Sequence, residues 1–322
     1  MPMASVPFYW RKPLTIRGSR FTITFVPMKH CFLLLLTITA LAGCERDIDV
    51  PVAEVAPKLV VEATIENGQP PLVILSRSLA YFSTLSIDQL ANSFVHGAQV
   101  EMSNGAVTHR LKEYTVPAGN SGYFVSFYTL DSSNLATAFL GSLQTDYQLR
   151  IVAEGATYTA QTRIPAVTKR IDSTWWRLNP RDTSDGKVEV MVKVTDPRGY
   201  GDYVRYWTRR NSEPLRPGRN SVFDDLVIDG TTYDLPIDPG IDRGGTNNGF
   251  DERSFKRGDT VTLKLANIDK ATYDFWRTME YTYQSVGNPF ASPTRVLGNI
   301  SNGALGYFGG YAAQYRTIIV PR

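Results

Sequence analysis

Residues 58–68 read KLVVEATIENG. The run 58–65 has the β-branched, apolar-rich character of a strand, and Asn67-Gly68 supplies the dipeptide that most readily takes the backbone angles of a tight hairpin turn. Residues 71–76 (PLVILS) resume a strand on the far side of that turn. The same grammar then repeats. Residues 98–102 alternate, meet Asn104-Gly105 and continue as 107–111, a second hairpin, and 122–128, 147–153 and 158–164 follow with Gly or Asn between them. Short strands at this spacing, rich in aromatic and β-branched residues, predict an antiparallel β-sandwich of immunoglobulin-like or transthyretin-like kind. The least regular stretch, 83–93, is expected to hold a short helical turn or a lid-like loop.

After Ile164-Pro165 a second β-rich region begins. Residues 171–178 read as a strand and Ser184-Asp185-Gly186-Lys187 as a turn. Residues 187–195 place Val188, Val190, Val192 and Val194 on one face, among the cleanest period-2 patterns in the chain. Residues 196–220 and 236–251, rich in Gly, Pro, Asn and charge, read as long loops, with a turn at Asp229-Gly230 inside a strand-like stretch 226–233. One helix is predicted over 270–285. Asp269 offers its N-cap, no Gly or Pro interrupts it, and Gly287-Asn288-Pro289 ends it. Phe275 and Met279 share one face with Thr282 or Tyr283, Trp276 beside them, a stripe expected to pack on a sheet. The fold class is therefore mainly β, with two antiparallel sandwich domains, 58–168 and 169–322, the second carrying one helix.

Upstream, residues 33–49 read LLLLTITALAGCERDID. The uncharged run 31–42 is shorter than the roughly 20 apolar residues of a membrane-crossing helix, and it fits the apolar part of a secretory signal. Met28-Lys29-His30 gives that signal its positive start, and residues 1–27 read as an extended N-terminus outside the fold. Leu41-Ala42-Gly43-Cys44 resembles a lipobox, with cleavage between Gly43 and Cys44 and a diacylglyceryl thioether on the Cys44 thiol. Residues 44–57 form a tether. The segment 1–43 holds five of the 34 Lys and Arg and none of the 31 Asp and Glu, so the remaining chain has a net charge of −2. That balance lacks the basic footprint of a nucleic-acid binder.

Cys31 leaves with the signal and Cys44 carries lipid, which removes thiol catalysis and cysteine metal sites from consideration. His96 and His109, the two histidines downstream, are expected at the surface or at strand ends. No phosphate loop, nucleophile elbow, zinc-protease helix or dinucleotide fingerprint occurs, and no catalytic residue, metal site or cofactor is expected. Asp238, Asp242, Asn247 and Asp251 offer oxygen ligands for calcium, but their spacing is not that of an EF-hand and Arg243 opposes a cation, so a polar loop is expected. Asp182 and Asp185 read as a hairpin turn. In Trp175-Trp176 the two side chains point to opposite faces of a strand. They are the residues expected to cover a seam between the domains, to contact a partner, or to stack on a sugar.

Several blocks together resemble one family. They are Cys44-Glu45, the stretch 58–65, Leu75-Ser76, Val95-His96-Gly97-Ala98, Arg257-Gly258-Asp259-Thr260, and Ile268-Asp269 through Trp276. Asn288-Pro289-Phe290, Gly298-Asn299-Ile300 and the glycine-aromatic run 303–311 close the set. This order is similar to that of the Bacteroidota outer-membrane lipoproteins grouped as domain of unknown function 4249. The resemblance implies no activity and no catalytic residues. It implies an accessory of a TonB-dependent outer-membrane receptor, and Glu45, Asp47 and Asp49 are similar to the signal that exports such lipoproteins to the cell surface. The expected function is thus a lipid-anchored, non-enzymatic outer-membrane protein that assists a TonB-dependent transporter or captures its ligand. The alternative is a stand-alone carbohydrate-binding or adhesion lipoprotein.

Overall fold

The computed structural model describes residues 56–79, 86–119, 122–181, 186–242, 254–286, 288, 290–292 and 294–322. The lipobox residues Leu41, Ala42, Gly43 and Cys44, the acids Glu45, Asp47 and Asp49, and the turn and loop acids Asp182, Asp185 and Asp251 lie outside them, as does Asn247.

β1 (Leu59–Glu66) and β2 (Leu72–Arg77) form the hairpin expected at Asn67-Gly68, with Gly68 at φ +75° and the Gln69 N–H donating to the Glu66 carbonyl at 3.0 Å. A one-turn helix, α1 (Ile87–Ala91), is closed by a reciprocal capping box between Ser86 and Gln89. β3 (Gln99–Ser103), β4 (Thr108–Pro117), β5 (Phe124–Thr129), β6 (Thr145–Ala153) and β7 (Ala156–Ile164) follow. β4 pairs with β3 through its first residues and with β5 through its last, so it passes from one layer to the other. Val61, Ala63, Ile65, Val73 and Leu75 from one layer meet Val100, Met102, Leu149, Ile151 and Ile164 from the other in a core whose members are all but water-free. His109, the second residue of β4, sits at a strand end as expected but is buried, 1% exposed. Its Nδ1 pairs with Thr137 Oγ1 at 2.9 Å and its Nε2 accepts the Asp131 N–H at 3.3 Å. Burial pushes its pKa down, with the Asp131 charge opposing, so it serves as a neutral core group.

The remaining elements are β8 (Arg170–Leu178), β9 (Lys187–Thr195), β10 (Tyr203–Arg210), β11 (Arg216–Phe223), β12 (Thr232–Ile237), β13 (Phe255–Lys256), β14 (Thr260–Ile268), α2 (Lys270–Ser285) and β15 (Leu305–Ile319). β8, β9, β12 and β13 make a four-stranded sheet. Its Val188, Val190, Val192 and Val194 pack on Val204, Val261, Leu263 and Leu265 in a second core. β10 and β11 replace much of the loop expected over 196–220. Their pattern, YVRYWTRR and RPGRNSVF, is dense in arginine because one face of β10 opens on the polar site described below, which masks the inward row Val204, Tyr206 and Thr208. The strand expected over 226–233 is a turn first, and β12 begins only at Thr232.

All pairings between the described strands are antiparallel except that of β1 with β15, which is parallel over Val60–Glu66 and Leu305–Tyr311. This single pairing joins the two halves into one mixed sheet ordered β11-β10-β14-β15-β1-β2-β5-β4-β3-β6-β7. β15 serves both halves: Phe308 and Ala312 enter the first core, and the strand pairs with β14 as far as Ile319. Gly306, at φ +97°, allows the approach to β1, because a Cβ there would collide with the Val61 carbonyl. Asn67 continues the ladder past the end of β1, its side chain accepting the Ala313 N–H at 2.6 Å.

Candidate functional site

α2 spans the residues expected of it. Asp269 caps it by accepting the Thr272 N–H at 2.8 Å, and its second oxygen accepts from Thr162 Oγ1 at 2.9 Å and the Arg163 N–H at 3.2 Å, pinning the helix start to β7. Phe275 is buried and stacks on Tyr307 of β15 at 4.4 Å between ring centroids, while Trp276 meets the same tyrosine edge-on at 5.1 Å. Tyr283, expected on that stripe, is exposed instead, and Glu280 is the buried residue of the last turns.

Between α2, the segment 295–306 and the β10-β14-β15-β1 part of the sheet lies a cleft of about 1250 Å³. Strand alternation builds its floor. On β1 the odd residues Val61, Ala63 and Ile65 enter the core, so Glu62, Thr64 and Glu66 face the cleft. Register sets Trp207, Lys264 and Tyr315 in one row across β10, β14 and β15, with Glu66 opposite Tyr311 on the neighbouring strand. The Lys264 ammonium forms an ion pair with Glu66 and lies 4.6 Å from the Trp207 ring centroid. The Tyr315 hydroxyl donates to the other Glu66 oxygen at 2.5 Å.

Arg205 is 3% exposed and is held by planes rather than by a carboxylate contact. Its guanidinium lies 3.4 Å from the Trp276 ring centroid and 4.7 Å from that of Trp207, a double cation–π arrangement in a water-poor setting. Its Nε donates to Ser221 Oγ at 3.1 Å, and Ser221 passes the polarity on, its N–H donating to Glu280 at 2.9 Å. Trp276 Nε1–H donates to the Tyr311 hydroxyl at 3.2 Å. These contacts fix the aromatic walls in place.

Glu62 differs from its neighbours. It accepts no hydrogen bond from a described residue, and its side chain is open to the cleft although protein surrounds it on most sides. That partial desolvation pushes its carboxyl pKa up, with the Arg205 charge opposing the rise. The site therefore offers an exposed carboxylate without a protein donor on a floor where Glu66, Lys264 and Arg205 are engaged, with Lys58 and Arg295 also in the lining, under walls of Trp, Tyr and Phe.

Of the residues singled out in the sequence, Trp175 and Trp176 line no part of this cleft. Both are half-buried on β8; Trp176 packs against the second core with the Arg257 guanidinium 5.2 Å from its ring centroid. Asp242, considered for calcium, pairs with Arg216 at 2.8 Å. His96 is exposed and pairs with Glu113 at 2.6 Å. The cleft residues escaped sequence reading because they come from separate elements, Glu66 and Tyr315 being 249 positions apart. The one local signal was the clustering of aromatics in α2 and β15. The family model described as Domain of unknown function (DUF4249) matches residues 45–317. The chain belongs to this family. No curated protein matches the sequence. For this DUF4249 member the cleft is accordingly argued from its own chemistry.

Proposed function

We propose that this protein captures a small ligand in the cleft beneath α2, as a lipid-anchored, non-enzymatic component of the outer membrane that serves a TonB-dependent transporter. The observation that carries the capture reading is Glu62, an open carboxylate to which no described residue donates, at the base of a roomy cleft walled by pre-positioned aromatic rings. Ligand sites combine an apolar, largely pre-formed wall with a few placed polar groups in this way. The chemistry suits a molecule with a planar or apolar body and a cationic or donor group for Glu62. The lipobox Leu41-Ala42-Gly43-Cys44 supports the anchored location, and the family resemblance supports the transporter partnership. In the same reading the two cores are separate sandwich domains of immunoglobulin-like or transthyretin-like kind, meeting near residues 168–169 and sharing β15.

Affinity purification of the lipidated protein from native membranes in mild detergent tests the partnership. An outer-membrane β-barrel is expected to accompany it, and its repeated absence sinks the transporter role. Native mass spectrometry of the same preparation tests capture: a bound small molecule is expected in the wild type and lost in Glu62→Ala. Identical spectra for the two proteins remove the cleft as the site. Cys44→Ala is expected to release the protein from the membrane fraction.

A further inference from the structure

Away from the cleft, two loops bring carboxylates together. Asp196 follows β9, while Asp225 and Asp229 lie in the turn between β11 and β12. One oxygen from each lies within 4.8 Å of the others. Oxygen ligands around a single Ca²⁺, each about 2.3–2.6 Å from the ion, lie at such separations. The loops are stitched to each other by the Asp196 N–H donating to the Thr231 carbonyl at 2.9 Å and the Gly230 N–H donating to the Pro197 carbonyl at 3.3 Å. Backbone donors also hold the carboxylates in place. The Gly199 N–H reaches Asp229 Oδ1 at 2.6 Å, and the N–H groups of Gly201 and Asp202 reach Asp225 Oδ2 at 2.8 and 3.0 Å.

A separate observation is that the buried ion pair beside these carboxylates is incompletely hydrogen-bonded. Asp196 is 2% exposed, and neither of its carboxylate oxygens accepts a hydrogen bond. The facing cation is Lys169, fully buried, 3.5 Å from Asp196 Oδ1 and itself donating no hydrogen bond from its ammonium. Burying two charges this way is costly unless further polar partners complete the arrangement. Asp202, which accepts from Thr168 Oγ1 at 2.6 Å, adds a fourth carboxylate beside them. The Asp202 and Asp225 charges repel that of Asp196, against the attraction of Lys169.

We propose that Asp196, Asp225 and Asp229 bind a divalent cation, Ca²⁺ by preference, which staples the 196–202 loop to the 224–231 turn. The donors are all hard oxygens, and an irregular set drawn from two loops suits the variable coordination of Ca²⁺ better than the strict octahedron of Mg²⁺. Lys169 neutralises excess charge on the Asp196 side.

The test is calcium titration of the chelator-stripped full-length protein in detergent, by calorimetry and thermal unfolding. One ion per chain is expected, with a Kd on the order of 10⁻⁴–10⁻³ M as in extracellular modules. Saturating Ca²⁺ is expected to raise Tm by roughly 5 °C. Asp229→Asn, at a half-buried position, is expected to weaken binding at least about tenfold, given the dependence of such sites on ligand charge. Asp242→Asn is expected to leave it unchanged. Hydrogen exchange on the wild type needs no variant: Ca²⁺ should slow exchange in 196–202 and 224–231. Absence of binding at about 10 mM Ca²⁺, well above that affinity range, overturns the proposal. So does wild-type affinity in Asp229→Asn, loss of binding in Asp242→Asn, or protection confined to other segments. Binding by Lys169→Met alone overturns it too, since the ammonium would then already fill the cation's place.

Discussion

On one side of β14, Val261, Leu263 and Leu265 press against the valines of β9; on the other, Lys264 and Ala266 face α2 and the cleft. The same alternation produces both sides, yet they are stabilised differently. The first gains from removing apolar area from water, which tolerates no lost volume. The second holds Lys264, Glu66 and Arg205 by pairing and ring contacts, whose net contribution is small once desolvation is counted. A strand that serves core and site together can therefore vary its site face at lower cost than its core face.

Leu263→Ala tests that contrast with the largest effect, an expected loss of about 3 kcal/mol from the cavity it leaves, read as a lower urea midpoint at unchanged slope. Asp269→Ala removes the N-cap of α2 and its hold on β7, at about 1–2 kcal/mol, with a red shift of tryptophan emission as Trp276 meets water. Equal losses in these two proteins would break the contrast. Lys264→Ala is expected to cost about 1 kcal/mol, because Glu66 keeps the Tyr315 hydroxyl; a loss as large as that of Leu263→Ala would show that the site face is as costly to alter as the core.

Glu62→Gln sharpens the comparison with the smallest change and the opposite sign. A carboxyl whose pKa is raised on folding binds protons more readily in the native state, so wild-type stability falls as pH rises from the ordinary value of 4.5 through the raised one. Glutamine removes that loss. A slightly higher Tm at pH 7, disappearing below about pH 4 where both folded and unfolded carboxyls are protonated, is the expected result of parallel melts. A lower Tm at pH 7 would mean that the carboxylate is satisfied and the cleft needs no ligand there.

Local chemistry made part of this architecture legible. Asn67-Gly68 marked its hairpin, the valine alternation of β9 marked a core strand, and Asp269 marked the start of α2. β10 was hidden because Arg205, Arg209 and Arg210 break no backbone rule yet read as solvent-facing loop. The stacking of Arg205 between the indoles of Trp207 and Trp276 offsets its burial, and Trp276 lies far away in sequence. The burial of His109 was hidden for the same reason, since Thr137 and the Asp131 N–H that satisfy it are distant in sequence. The cleft and the Asp196, Asp225 and Asp229 cluster depend on register and loop closure between separate segments, which no window of sequence contains.

Among the described strands β15 is the last and β1 the first. Their parallel pairing means that the earliest-made of these strands waits some 240 residues for its neighbour, a non-local closure of the kind that slows folding. Until then β1 presents an unpaired edge beside an unfinished core, open to pairing with other chains. A product truncated before residue 305 lacks Phe308 and the β14 partner together, so it is expected to aggregate rather than persist as a half-molecule. β15 is thereby expected to act as a late checkpoint in folding, admitting to the folded pool only chains that carry it.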